Sequence, residues 1–342
     1  MRKNDIIFIL KHLGTMLRSG ISLGNALATL EEQAEDENLK RVISTIHRDI
    51  EAGAVFSEAI SRHKNIFTEL EVSMIKMGET TGMLDDVIDR IVRLGIQEIE
   101  VRARIKTAAI YPLILLTVAI IVIIVLVVIV LPKITAVFAA NNAVLPAPTR
   151  ILLGISYFIS HYWYWLLIFI AVGGSQFMLY KNTARGRYNI DNNLPKIPII
   201  GKLYTKVIAA RFARNFSVLI KSGVPVLEAL NVVRTTIPNV VVAGEIKKIR
   251  DAIAAGANIT EPFKASGIFP PMVIRMISTG EKTGKLDDML NDIAHFYETE
   301  VDQTINKLSI LIEPVFLLIM GVIVGFIAFS VLLPIFNLTR VF

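Results

Sequence analysis

Gly280-Glu281-Lys282-Thr283-Gly284-Lys285 carries the groups a phosphate-binding loop uses: close-approach glycines, a hydroxyl and lysines. The spacing does not fit. Three residues separate the glycines where the nucleotide loop needs four, and Leu286 stands where Ser or Thr would hold magnesium. The related stretch Gly78–Met83 has no lysine, and no strand pattern precedes either copy. Gly154-Ile155-Ser156 lacks the closing glycine of a nucleophile elbow. The five histidines (His12, His47, His63, His161, His295) share no metal-ligand spacing. With no cysteine, disulfides, thiolate metal sites and cysteine nucleophiles are excluded. No catalytic, cofactor-binding or metal-binding residues are expected, and the chain reads as a scaffold, not an enzyme.

What remains of these motifs is a shared pattern, GE-x-x-G-x-LDD. It occurs at Glu79, Gly82, Leu84 and Asp85, and again at Glu281, Gly284, Leu286 and Asp287. Two readings are open. In one the glycine makes a turn, the leucine packs, and Asp85-Asp86 and Asp287-Asp288 favour the positive N-terminus of the next helix. In the other the turns are docking surfaces whose carboxylates meet a basic partner or a cation, although they fall short of a calcium loop.

The pattern belongs to a longer duplication. Leu17-Arg18-Ser19-Gly20-Ile21-Ser22-Leu23 returns as Ile220-Lys221-Ser222-Gly223-Val224-Pro225-Val226, an offset of 203. Ala26-Leu27 and Gly53 return at the same offset as Ala229-Leu230 and Gly256. After one deletion the offset becomes 202: Phe67 meets Phe269, Met77–Asp86 meets Thr279–Asp288, Pro112 meets Pro314, and Leu131-Pro132 meets Leu333-Pro334. Chance does not hold an offset with one gap for over a hundred residues.

The elements that position these motifs are helices. Ile6, Ile9, Leu10, Leu13 and Leu17 form one apolar stripe of a helix ending at Gly20. Ser22 caps a second, and a third near 38–52 stops at Gly53, suited to a left-handed position. A fourth starts after Ser57. Thr68 and Glu71 make a capping box for the fifth, with Phe67 and Val72 as a hydrophobic staple, and the matching site reads Phe269-Pro270-Pro271. A sixth starts beside Leu84. Six helices per copy are expected, with a kink or restart at the membrane-junction prolines Pro112 and Pro314.

Composition sets the surroundings. Mean hydropathy is +0.57, and 19% of residues are charged, below the roughly 25% usual for soluble domains. Leu113–Leu131 and Val315–Leu333 are uncharged runs of 19 residues, enough to cross about 30 Å of hydrocarbon. Gly321 and Gly325 sit at a spacing that lets helices approach closely. A third run, near 161–180, includes the aromatic cluster Tyr162-Trp163-Tyr164-Trp165, which suits a headgroup region, with 149–160 as an interfacial or obliquely entering helix. Arg102, Arg104 and Lys106 abut the first run; Lys181, Arg185 and Arg187 follow the second. By the positive-inside rule both long polar segments are cytoplasmic and the C-terminus is external. The net charge of +6 is spread widely without stacking aromatics, so nucleic acid is not an expected partner.

The expected organisation is all-α. A first cytoplasmic helical domain covers 1–110, a span 111–132, an external loop with an interfacial helix 133–160, and a second span 161–180. A second cytoplasmic domain covers 181–312, a third span 313–334 and an external tail 335–342. A transporter is disfavoured, because the first and third runs hold no ionisable group and Glu313 lies at an edge. A membrane-anchored regulator or adaptor without a filament role stays open.

The repeated RSG-hydrophobic and GE-x-x-G-x-L motifs precede proline-bounded runs. With them stand Leu145-Pro146-Ala147-Pro148-Thr149-Arg150 and Leu194-Pro195-Lys196-Ile197-Pro198-Ile199-Ile200-Gly201. Together these resemble the type II secretion system protein F family, over nearly the whole chain. The resemblance implies an inner-membrane assembly platform of a type IV pilus, type II secretion or competence machine. It implies six-helix cytoplasmic domains in a homo-oligomer, a cytoplasmic assembly ATPase and pilin or pseudopilin subunits as partners, and other inner-membrane components around it. The chain is expected to start almost directly at the first domain, without the N-terminal extension of many members.

Overall fold

The computed structural model describes residues 3–130 and 147–338. Every regular element among them is helical. The first set is α1 (Lys3–Arg18), α2 (Leu23–Gln33), α3 (Glu37–Glu51), α4 (Phe56–Ser61), α5 (Glu69–Thr81) and α6 (Leu84–Ile124), the last running into a π-helical turn at Val125–Val130. After α7 (Ala147–Asn182) and α8 (Ala184–Asn193) come α9 (Ile200–Lys221), α10 (Val226–Thr236), α11 (Val240–Ala254), α12 (Thr260–Ser266), α13 (Pro271–Thr283) and α14 (Leu286–Leu338). The expected Leu131-Pro132 boundary, the connection at 133–146 and the tail after 338 lie outside the described residues.

Local sequence explains most boundaries. Glycines with left-handed φ close matching helices: Gly20 (+82°) and Gly223 (+84°), Gly53 (+89°) and Gly256 (+96°), Gly82 (+71°) and Gly284 (+69°). The Thr68/Glu71 capping box is formed, and Ser22 accepts from the Asn25 N–H. Asp36 caps α3 and Asn239, at the same offset, caps α11, each accepting two backbone N–H groups. Pro271 opens α13, where a missing N–H costs nothing.

Two expectations need correction. The fourth helix starts at Phe56, and Ser57 lies buried inside it and is not its cap. No restart occurs at Pro112 or Pro314, which sit within α6 and α14. A proline removes one intrahelical bond and crowds the preceding turn. In apolar surroundings every other backbone group must still bond within the helix, which holds the flanking turns in register. The stretch 149–180 lies within one uninterrupted helix, α7.

Contacts divide the chain into two compact units: Met1–Ala103 with Arg187–Asp302, and Arg104–Gly186 with Gln303–Phe342. In the first, α1–α5 and α9–α13 share one continuous buried core with the opening turns of α6 and α14. Leu10, Leu13, Met74, Ile75, Ile88 and Ile91 fill one end, while Phe212, Phe216, Phe263 and Phe269 cluster at the other, with the Phe212 and Phe269 ring centroids 4.6 Å apart. Arg214 holds Glu298 through two hydrogen bonds of 2.8 and 2.6 Å, tying α9 to the start of α14. The second unit is apolar outside as well as in. Phe169, Met178, Ile310 and Leu318 are exposed, while Ile327 packs with Ile123, Leu126, Leu153 and Ile323. Among the described residues, one helical stretch is long and apolar enough to cross a membrane, Leu286–Ser330, and a shorter apolar one runs Leu113–Ile124.

The segment Leu194–Gly201 is tightly wound. The Ile200 N–H donates to the Pro198 carbonyl at 2.8 Å, closing a γ-turn on Ile199, whose φ of +70° is unusual for a β-branched residue. A Cβ on Gly201 would lie 2.1 Å from the Pro195 carbonyl oxygen. Ile199 is exposed, so Ile199→Gly should relieve strain without a packing loss. Stability should rise by about 1 kcal/mol, read as a higher melting temperature of the solubilised protein; a lower one would show the turn is unstrained.

Candidate functional site: two glutamate-clamped turns

The GE-x-x-G-x-LDD residues come together within each copy as one turn. In the first copy the Gly82 and Met83 N–H groups both bond the Gly78 carbonyl, and the chain enters α6 at Leu84. In the second the Gly284 and Lys285 N–H groups bond Gly280, and α14 starts at Leu286. The first glycine of each motif is a close-approach position. A Cβ on Gly78 would lie 3.2 Å from the Leu84 Cα, and one on Gly280 2.9 Å from the Leu286 Cα. Leu286 is buried and Leu84 half-buried against the core. Asp85-Asp86 and Asp287-Asp288 occupy the first turns of α6 and α14, where the helix dipole favours negative charge.

The glutamates do something the sequence did not reveal. Glu79 Oε1 and Oε2 accept from the backbone N–H groups of Phe56 (2.5 Å) and Ser57 (3.0 Å). Glu281 repeats this with Ile259 (2.5 Å) and Thr260 (3.0 Å) and also accepts from the Thr260 hydroxyl. Neither α4 nor α12 has a side-chain cap of its own. Helices of 6 and 7 residues are too short to persist alone. Each carboxylate therefore closes a short helix from a neighbouring one, as a cap supplied through space. At Glu281 burial pushes the carboxyl up, but the bonds from Thr260 and Ile259 outweigh it, so its pKa is lowered. These two carboxylates are engaged in the fold, whereas Asp86 and Asp288 are exposed. Among the described residues, no group of three or more His, Asp or Glu side chains gathers as a metal ion would require.

The other candidates lie apart from the turns. A Cβ on Gly321 or Gly325 would meet nothing within 4 Å. Pro112 and Pro314 are internal to α6 and α14.

A sequence profile of the family "Type II secretion system (T2SS), protein F" matches residues 9–132 and again 212–334. The chain belongs to the type II secretion system protein F family. Among relatives, the type IV pilus assembly protein PilC of Thermus thermophilus is 36% identical over 98% of this chain and 82% of its own length. PilC of Myxococcus xanthus is 35% identical over 98% and 80%. The type II secretion system protein F of Aeromonas hydrophila is 30% identical over 98% and 87%. Glu79 lies within the first of the two matched stretches and Glu281 within the second, each in a turn of the same geometry.

Sequence reasoning also missed the seam between the two helix sets. There α5 lies on α9 and α10. Arg90 Nη1 donates to the Lys221 carbonyl (3.1 Å) and Ser222 Oγ (3.2 Å), and a Cβ on Gly223 would sit 3.6 Å from Met77 Cε. Nearby, Arg18 and Arg93 both face Asp89; the bond from Arg93 outweighs burial and holds that carboxyl below its usual range.

Replacing Glu79 or Glu281 by Ala should each cost about 1–3 kcal/mol, read as a lower melting temperature. An unchanged melt would show the caps contribute nothing. A carboxyl whose pKa is lowered by folding stabilises fully above its unfolded value of 4.5 and loses that contribution as pH falls through the folded one. Glu281→Gln should therefore flatten the acid side of the stability profile below pH 4.5 and leave its neutral side parallel to wild type. An unaltered acid limb would refute the assignment.

Proposed function

We propose that this chain is the inner-membrane assembly platform of a type IV pilus or type II secretion machine. The observation that carries the reading is the paired family match over both helix sets, shared with relatives named for pilus assembly and secretion. The platform is two tandem copies of a six-helix module facing the cytoplasm, anchored by three spans at 111–132, 161–180 and 313–334. It works as a homo-oligomer. A cytoplasmic assembly ATPase acts on the modules, and pilin or pseudopilin subunits pass from the bilayer into the filament beside the spans. The unbroken run of α6 and α14 from the clamped turns into apolar sequence supports this coupling, because a helix without a restart carries displacement along its axis. The protein performs no bond chemistry of its own; force from the ATPase is redirected.

Deleting the gene while keeping ATPase and pilin should abolish filaments or secretion, and normal assembly would overturn the reading. Topology gives a second measurement. The chain lacks cysteine, so single cysteines at the exposed positions Asn38 and Lys264 report sidedness cleanly. Both should react with a membrane-impermeant maleimide only from the cytoplasmic face. Labelling of the two from opposite faces would end the parallel-module arrangement.

A further inference from the structure

The seam within the first unit is one-sided: α5 of the first copy meets α9 and α10 of the second. A duplicated module owns two surfaces of each kind, so this contact uses one of each. The counterparts left over are α13 on the second copy and the α1–α2 turn with α2 on the first.

Exposure follows that division. On one face of α5, Leu70 (9%), Ser73 (8%) and Met74 (0%) are buried and Met77 half-buried. These positions are spaced i, i+3, i+4, i+7, a single helix stripe. At an offset of 202 the stripe becomes Met272, Arg275, Met276 and Thr279 on α13, where Met272 (38%), Arg275 and Thr279 are exposed. On the receiving side Val224 is 2% exposed, while its counterpart Ile21 is 41% exposed. Modules of one fold thus differ in burial at the stripe that is covered in one copy and bare in the other. Arg275 puts a charge on the bare stripe where Ser73 stands in the covered one.

We propose that α13 of one chain docks on the α1–α2 turn and α2 of a second copy, repeating between chains the contact α5 makes within one. The occupant is a second copy because the receiving surface is the duplicate of one already filled by this module. Pairing two bare stripes with each other would set Arg275 against its own copy, which disfavours a self-complementary contact. A contact between unlike surfaces closes into a ring when its rotation allows and otherwise continues as an open array. The inference deepens the homo-oligomeric platform reading and rests on it for the presence of neighbouring copies.

The test uses full-length chains in membranes. Differently tagged chains carrying Ser19→Cys and Thr279→Cys, the counterparts of Ser222 and Met77, are co-expressed and treated with a short bis-maleimide. A cross-linked dimer bearing both tags is expected, with no dimer from either variant expressed alone. Adding Ile21→Lys, at the counterpart of the covered Val224, to the Ser19→Cys chain should lower the mixed product at least threefold. A chain carrying both Met77→Cys and Ser222→Cys is the control and should link internally. Dimers from a single variant, no mixed product while the control links, or mixed product unchanged by Ile21→Lys would each overturn the contact. Failure here with filament loss on gene deletion leaves the platform reading intact; normal filaments without the gene would remove the platform reading and leave the cross-link result standing.

Discussion

The helical modules depend on a carboxylate delivered across space to an uncapped helix. A helix N-terminus leaves four N–H groups without intrahelical partners, and α4 and α12 are too short to tolerate that loss. Glu79 and Glu281 each satisfy two of them and sit one turn before the glycine that reverses the chain into α6 or α14. The same motif thus fixes the short helix behind it and the long helix ahead of it. Gly78 and Gly280 make this possible, since a side chain there would push the long helix away.

Sequence carried the local parts of this arrangement and stopped at the tertiary ones. The capping box at Thr68 and Glu71, the left-handed glycines and the opening Pro271 follow from rules acting within four residues. Glu79 reaches a helix 23 residues earlier, and no local pattern marks that partner. Ser57 resembles a cap by residue type, which misplaced the start of α4 once the true cap came from elsewhere. A restart at Pro112 or Pro314, one of the two outcomes expected there, does not occur, because intrinsic propensity is a weak prior that surroundings override. The duplication established which residues correspond, yet correspondence does not say which surfaces touch. That required the buried stripe on α5.

Duplication with divergence also accounts for the asymmetry between copies. In the covered stripe the residues are Leu70, Ser73, Met74 and Met77, small or apolar; in the bare one a charge and a hydroxyl appear at Arg275 and Thr279. Interfaces that form only on assembly tolerate such polarity better than a permanent core does. The interior of the second copy holds four clustered phenylalanines and an Arg214–Glu298 pair joined by two hydrogen bonds.

Helix α14 holds 53 residues, about 80 Å at 1.5 Å per residue, while hydrocarbon occupies only about 30 Å. More than half of that helix therefore lies beyond what a bilayer core could enclose, so any bilayer it entered would meet continuous helix and not a helix end, and tilting it would change the hydrocarbon thickness it matches.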